Sequence, residues 1–178
     1  MEKEIAKISP QQILMTAIPF SYEDLEANRD GYMTARQRSR LNDDRFLIQI
    51  VGVLALMVCP VCIIAAFVLD GQRYNTVVSR VIVSSAIGLL TVGTTAYAGW
   101  RWQCLGRDLR QGKVAAVQGL ISLEMGGDRN RTYRVKAADV TLKVPQHVFF
   151  AFKNGEPYCL YYAPHSRTLL SAEWLREE

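Results

Sequence analysis

Of the 178 residues, 21 are Lys or Arg and 17 are Asp or Glu, a formal charge of +4. So small an excess does not call for a nucleic-acid partner, and neither a binding motif nor an aromatic and basic platform accompanies it. Apolar residues make up 49% of the chain and concentrate in two runs, which leaves a modest part on either side in place of one large domain.

Residues 1–46 come first. Ser9-Pro10, Ile18-Pro19 and Asp30-Gly31 divide them into short pieces. Ile13, Leu14, Met15, Ile18 and Phe20 form an apolar patch within residues 11–20, for which docking on the C-terminal part of the same chain is favoured over docking on a partner. Thr34 reads as the N-cap of a helix running through Ala35, Gln37 and Leu41 toward the first apolar run.

That run, 47–69, holds no charged residue and would measure about 34 Å as a helix, against a hydrocarbon core of roughly 30 Å. It starts too late, and is too long, for a secretory signal peptide. The second run, 81–100, extends toward Val77 if Arg80 snorkels to the interface. Residues 70–76 are too few to form a domain, so both runs are expected to cross a bilayer as an antiparallel hairpin. Arg29, Arg36, Arg38, Arg40 and Arg45 precede the hairpin, and Arg101, Arg107, Arg110 and Lys113 follow it. This positive-inside bias predicts an integral membrane protein with both termini cytoplasmic and membrane lipid as a partner.

Small side chains recur at helical spacing in both runs. Gly52, Ala55, Cys59, Cys62 and Ala66 form one stripe, and Ser84, Gly88, Thr91, Thr95 and Ala98 form the other. Stripes of this kind allow close helix approach, so they are expected to face each other. Cys59-Pro60-Val61-Cys62 is the most chemical-looking motif of the chain, since a CxxC pair exchanges a disulfide when one thiol has a lowered pKa. Its apolar surroundings would raise a thiol pKa instead, so packing and a Pro60 kink are the favoured reading, with a membrane thiol–disulfide oxidoreductase as the alternative. Trp100, Arg101 and Trp102 are expected as interface anchors at the end of the second run. Neither run holds Asp, Glu, His or Lys, which disfavours an ion path within one chain; the subunit of an oligomeric channel or transporter is a further alternative.

After residue 100 the pattern turns to short alternating runs. Val114, Val117, Ile121 and Leu123 suggest a strand with a bend or bulge at Gly119, and Gly126-Gly127-Asp128 a turn. Tyr133, Val135 and Ala137 alternate in a second strand, followed by Val140, Leu142 and Val144. Pro145 opens a short helical segment through Phe152, ended at Asn154-Gly155. Tyr158–Tyr162 and Thr168–Leu170 then read as a hairpin. The expected fold is an α+β membrane protein, with a cytoplasmic N-terminal segment (1–46), a transmembrane helical hairpin (47–100) and a small antiparallel β-rich cytoplasmic domain (101–178).

The segment YCLYYAPHSRTLLSAE, taken with the GKV and NG elements before it, resembles an uncharacterised prokaryotic family of two-span membrane proteins with a small β-rich cytoplasmic module. The likeness covers chiefly residues 105–173. It implies an architecture and a prokaryotic plasma membrane, and it supplies no catalytic residue.

His147 and His165 belong to no metal-ligand pattern, and His165, Ser166 and Asp139 lack the nucleophile elbow of a hydrolase. No catalytic residue, cofactor or metal is therefore expected. Arg167 beside Tyr161 and Tyr162 is the candidate contact for a lipid headgroup or another ligand, because a guanidinium offers paired donors; packing over the tyrosines, or pairing with Glu173, is the structural reading. The residues together favour a non-enzymatic, membrane-anchored accessory or interaction module with a protein partner or a second copy of itself.

Overall fold

A computed structural model describes residues 9–69, 77–127 and 131–175, with the side chains at 59, 62–69, 77–81 and 83 outside that description. In chain order the elements are α1 (Pro10–Ala17), α2 (Tyr22–Arg29), α3 (Ala35–Leu69), α4 (Val77–Gln111), β1 (Ala115–Gly126), β2 (Thr132–Ala137), β3 (Val140–Val144), α5 (Gln146–Phe149), β4 (Pro157–Tyr162) and β5 (Leu169–Trp174). They form two compact units, unit 1 from Met1–Ser39 with Arg110–Glu178 and unit 2 from Arg40–Leu109.

The first three helices begin in the same way. Ser9 Oγ accepts from Gln12 N at 3.3 Å while Gln12 Oε1 accepts from Ser9 N at 3.2 Å. Ser21 with Asp24, and Thr34 with Gln37, repeat the reciprocal pair. Each box satisfies two backbone donors that a helix start would otherwise leave open. This is why α1 and α2, eight residues each, form in a segment whose composition reads as partly irregular.

Unit 1 is built on a five-stranded antiparallel sheet in the order β3-β2-β1-β4-β5. The long strand β1 belongs to both halves, since residues 115–120 pair with β4 and 121–126 pair with β2. Gly119 lies where the partner changes, and a Cβ there would stand 3.2 Å from the Ala138 backbone nitrogen in the β2–β3 turn. Gly119 thus permits a close approach and does not mark a bulge, while Gly126 extends the strand instead of opening the turn.

Residues 11–20, expected to dock on the C-terminal part, do so. Leu14, Ile18 and Phe20 join Leu25, Ile121, Val135, Leu142, Leu160 and Phe152 in one buried cluster. Each such side chain contributes about 1.5–3 kcal/mol on leaving water. Along β2, Tyr133, Val135 and Ala137 are buried and Arg134 and Lys136 exposed, the alternation of a sheet with one covered face.

In unit 2, α3 and α4 run antiparallel. A Cβ at Gly52 would meet the Ala98 Cβ at 3.9 Å, and one at Gly106 would meet Arg45 Nη2 at 3.3 Å, so advancing along α3 means retreating along α4. Gly52, Ala55, Ser84, Gly88, Thr91, Thr95 and Ala98 are half-buried. A Cβ at Gly88 would meet no described atom within 4 Å. The side chains of Cys59, Cys62 and Ala66 lie outside the described residues, while the helix itself continues through Pro60.

The membrane reading is corrected here. Among the described residues no helix is long and apolar enough to cross a membrane. The transmembrane hairpin, the integral membrane location with cytoplasmic termini in a plasma membrane, and the membrane part of the fold class are therefore overturned. What stands is an α+β chain of helices and a five-stranded antiparallel sheet.

Candidate functional site

The polar groups that unit 1 hides gather along α2 and β5. Helical spacing turns Asp24, Leu25 and Asn28 to the same inner face of α2. Asn28 Nδ2 donates to Ser171 Oγ at 2.6 Å, with both residues buried. One position further on, Arg29 Nε donates to Glu173 Oε2 at 3.1 Å and its Nη2 to Glu173 Oε1. Strand pairing sets Cys159 opposite Glu173 and Tyr161 opposite Ser171, and the Tyr161 hydroxyl donates to Glu173 Oε2 at 3.3 Å.

The electrostatics of this row favour a fastening over a reactive centre. Burial pushes the Cys159 thiol up, and hydrogen bonds with Tyr161 and Gln118 only partly oppose it. Burial, followed by the neighbouring Cys159 and Glu173, raises the Tyr161 hydroxyl. Both therefore keep their protons at neutral pH, where a nucleophile or general base would have to lose them. Arg29 is held protonated above its ordinary value, chiefly by its hydrogen bond with Glu173.

Asp24 ties α2 to the start of α3. Burial acts to raise its pKa, but hydrogen bonds from Thr34 Oγ1 and from Ser21 outweigh that effect, and Arg36 adds to the lowering. An open cleft of about 380 Å³ borders the seam between Tyr22, Leu25, Arg29, Glu173 and Trp174. At its rim the Gln11 side chain donates to Ala172 O at 3.1 Å and accepts from Trp174 N at 3.0 Å. One amide thus fills, on the outer edge of β5, the two positions a neighbouring strand would fill.

The residues singled out from sequence are dispersed. Arg167 is exposed in the β4–β5 turn with φ of 53°, its backbone N–H donating to Ala163 O at 2.9 Å. Tyr161 is engaged with Glu173, and Tyr162 sits half-buried opposite Ala115 and Leu169. Glu173 takes Arg29 as its cation, which displaces the pairing with Arg167. His165 reaches Gln111 at 3.3 Å, and Ser166 reaches Thr168 at 3.0 Å. Asp139 occupies the β2–β3 turn, two residues after Ala137, which pairs with Ile121, whereas Tyr162 at the other turn pairs with Ala115. Those registers place the two turns roughly 20 Å apart along β1, so the three residues form no triad.

In unit 2, Trp102 lies under the Arg45 guanidinium, 4.0 Å from its ring centroid, a cation–π contact in place of a lipid boundary. Arg101 Nη1 approaches the Tyr97 hydroxyl at 3.5 Å, and Trp100 tilts against the Tyr97 ring. The hydroxyls of Thr91, Thr94 and Thr95 each donate to a carbonyl of their own helix. Cys104 and Cys159 are free, buried thiols, and among the described residues no cluster of three or more His, Cys, Asp or Glu could hold a metal.

No protein-family model, curated protein or solved structure matches the chain. The resemblance of its C-terminal segment therefore assigns no role to any residue, and the functional argument rests on the chain itself. Sequence reasoning missed Gln11, Asn28, Arg29 and Ser171. The capping-box spacing of Ser9 with Gln12 and Ser21 with Asp24 was the signal that would have placed the first three on or beside short helices.

Proposed function

We propose that this chain is an accessory interaction module that assembles with a second copy of itself through the apolar helical surface of unit 2. The observation that carries this reading is the exposure of large apolar side chains away from the seam, with Leu89 at 75%, Leu90 at 71%, Val92 at 68% and Met57 at 67%. Helices apolar on every face are unfavourable in water and are normally covered. A second copy brings an identical uncharged surface, and a two-fold contact matches such a patch to itself. Stable interfaces bury about 800 Å² on each partner, and the exposed apolar residues run along both α3 and α4.

Unit 1 supports a role by contact. Buried Asp24, Asn28 and Ser171, with half-buried Glu173, make hydrogen bonds that hold α2 against β5 and against Thr34 before α3.

Sedimentation velocity of the intact chain, alone and as the Leu89→Asp, Val92→Asp variant, tests the proposal. The expected result is a dimer or larger species that the variant shifts to monomer. A monomer at every concentration, association unchanged by the variant, or entry of single copies into lipid vesicles without self-association would each overturn it.

A further inference from the structure

The outer face of β2 and β3 carries an arrangement that neither the buried network nor the helical surface uses. Register pairs Arg134 with Lys143 and Lys136 with Thr141. Arg134, Lys136 and Lys143 are exposed and Thr141 is half-buried, while the alternate residues Val135, Leu142 and Val144 turn into the core. Three cations and a hydroxyl thus occupy four adjoining positions on one side of the sheet. Directly opposite residues stand about 5 Å apart at Cβ and diagonal ones about 7 Å apart, within reach of a single tetrahedral anion for side chains as long as Arg and Lys.

Like charges directly opposite each other are unfavourable, so solubility alone does not account for Arg134 facing Lys143. A lysine on an edge strand discourages pairing with other chains, which explains Lys143 but not Arg134 and Lys136 on the interior strand. The acidic groups nearest in register are Glu124, opposite Arg134 across β1, and Asp139 in the turn. Glu124 is close enough in register to offset part of one charge, which leaves the three cations in excess over the single carboxylate opposite them.

We propose that Arg134, Lys136, Lys143 and the Thr141 hydroxyl bind a doubly charged phosphate group, as a phosphate monoester or pyrophosphate, on the exposed face of β2 and β3. The guanidinium supplies paired donors to two oxygens, the lysines supply point charges, and Thr141 donates a neutral hydrogen bond. Binding offsets the repulsion between Arg134 and Lys143. The site is independent of self-association through unit 2.

The test is titration calorimetry of the intact chain with pyrophosphate, and co-sedimentation with phosphatidylcholine vesicles with and without phosphatidic acid. Arg134→Gln with Lys143→Gln should weaken binding about a hundredfold, roughly tenfold for each charge-assisted contact. Lys153→Gln removes an equal single charge elsewhere in unit 1 and should leave affinity within about twofold, since it lies outside the site. The double variant relieves a like-charge pair, so its melting temperature should hold or rise, which separates lost binding from lost folding. Binding to pyrophosphate with this dependence on the variants supports a free phosphate ligand. Binding only to phosphatidic acid vesicles with the same dependence assigns the phosphate to a lipid headgroup. No binding by the unaltered chain to either probe, or an equal loss in Lys153→Gln, overturns the proposal.

Discussion

Units 1 and 2 spend their apolar residues in opposite ways. In unit 1 most of the large apolar side chains are hidden and small ones serve turns and close approaches; in unit 2 the small residues are half-hidden along a seam and most of the large ones face outward, Leu41 and Leu105 excepted. Unit 1 also buries polar groups and pairs them across elements, whereas the unit 2 threonine hydroxyls bond back to their own helix. The contrast teaches that unit 1 closes a core of its own, whereas unit 2 leaves Met57, Leu89, Leu90 and Val92 outside any described packing.

The sharpest way to break that comparison is to truncate one leucine on each side. Leu14 is fully buried, so Leu14→Ala should cost about 3 kcal/mol in denaturant unfolding. Leu89→Ala, on an exposed face, should change stability by no more than about 0.5 kcal/mol under conditions where the chain is monomeric. Comparable losses at both sites would erase the distinction between the units.

Asp24 sharpens it on the polar side. Asp24→Ala removes the acceptor of the Ser21 and Thr34 donors and should cost about 2 kcal/mol at neutral pH. The folded pKa of Asp24 lies below the ordinary 3.8, so the charged form is the one that folding favours. Its contribution is fully present above that ordinary value and is lost as pH falls below it through the folded pKa. Unfolding curves collected down the acid range should show the unaltered chain and the variant converging there; a gap that stays constant would remove the ionised carboxylate from the account.

Glycines make the smallest contrast. Gly112 is buried at φ of 61°, and a Cβ there would run into the Arg38 guanidinium. Gly112→Ala should therefore destabilise unit 1 by about 1–2 kcal/mol. Gly99 is helical and exposed, with no described atom within 4 Å of an added Cβ, so Gly99→Ala should stabilise α4 by about 0.5–1 kcal/mol. Thermal melts of the two variants should move in opposite directions.

Much of the sheet was legible because β2 and β3 alternate cleanly, and Thr34 announced α3 through its capping residues. Of the small-residue stripes, Gly52 and Ala98 approach each other, while Cys59, Cys62 and Ala66 lie outside the described side chains. The short helices α1 and α2 were not legible, because eight residues are too few to establish a helical period and their stability comes from caps and from docking. The fastening of Arg29 to Glu173 joins positions 144 residues apart; nothing local marks it, and the nearer Arg167 competes for the same acid on paper. The apolar runs misled for a different reason, because hydrophobic content alone does not say which surface an apolar helix is meant to meet.

Gln11 carries a consequence for how the chain survives its own exposed strand. A single amide on α1 occupies the backbone groups of Ala172 and Trp174 that would otherwise recruit a foreign strand. The guard is mounted on an eight-residue helix, the kind of element that frays early. Lifting α1 would uncover hydrophobic core and the open edge of β5 in the same event, so loss of this helix should register as aggregation before the rest of unit 1 unfolds.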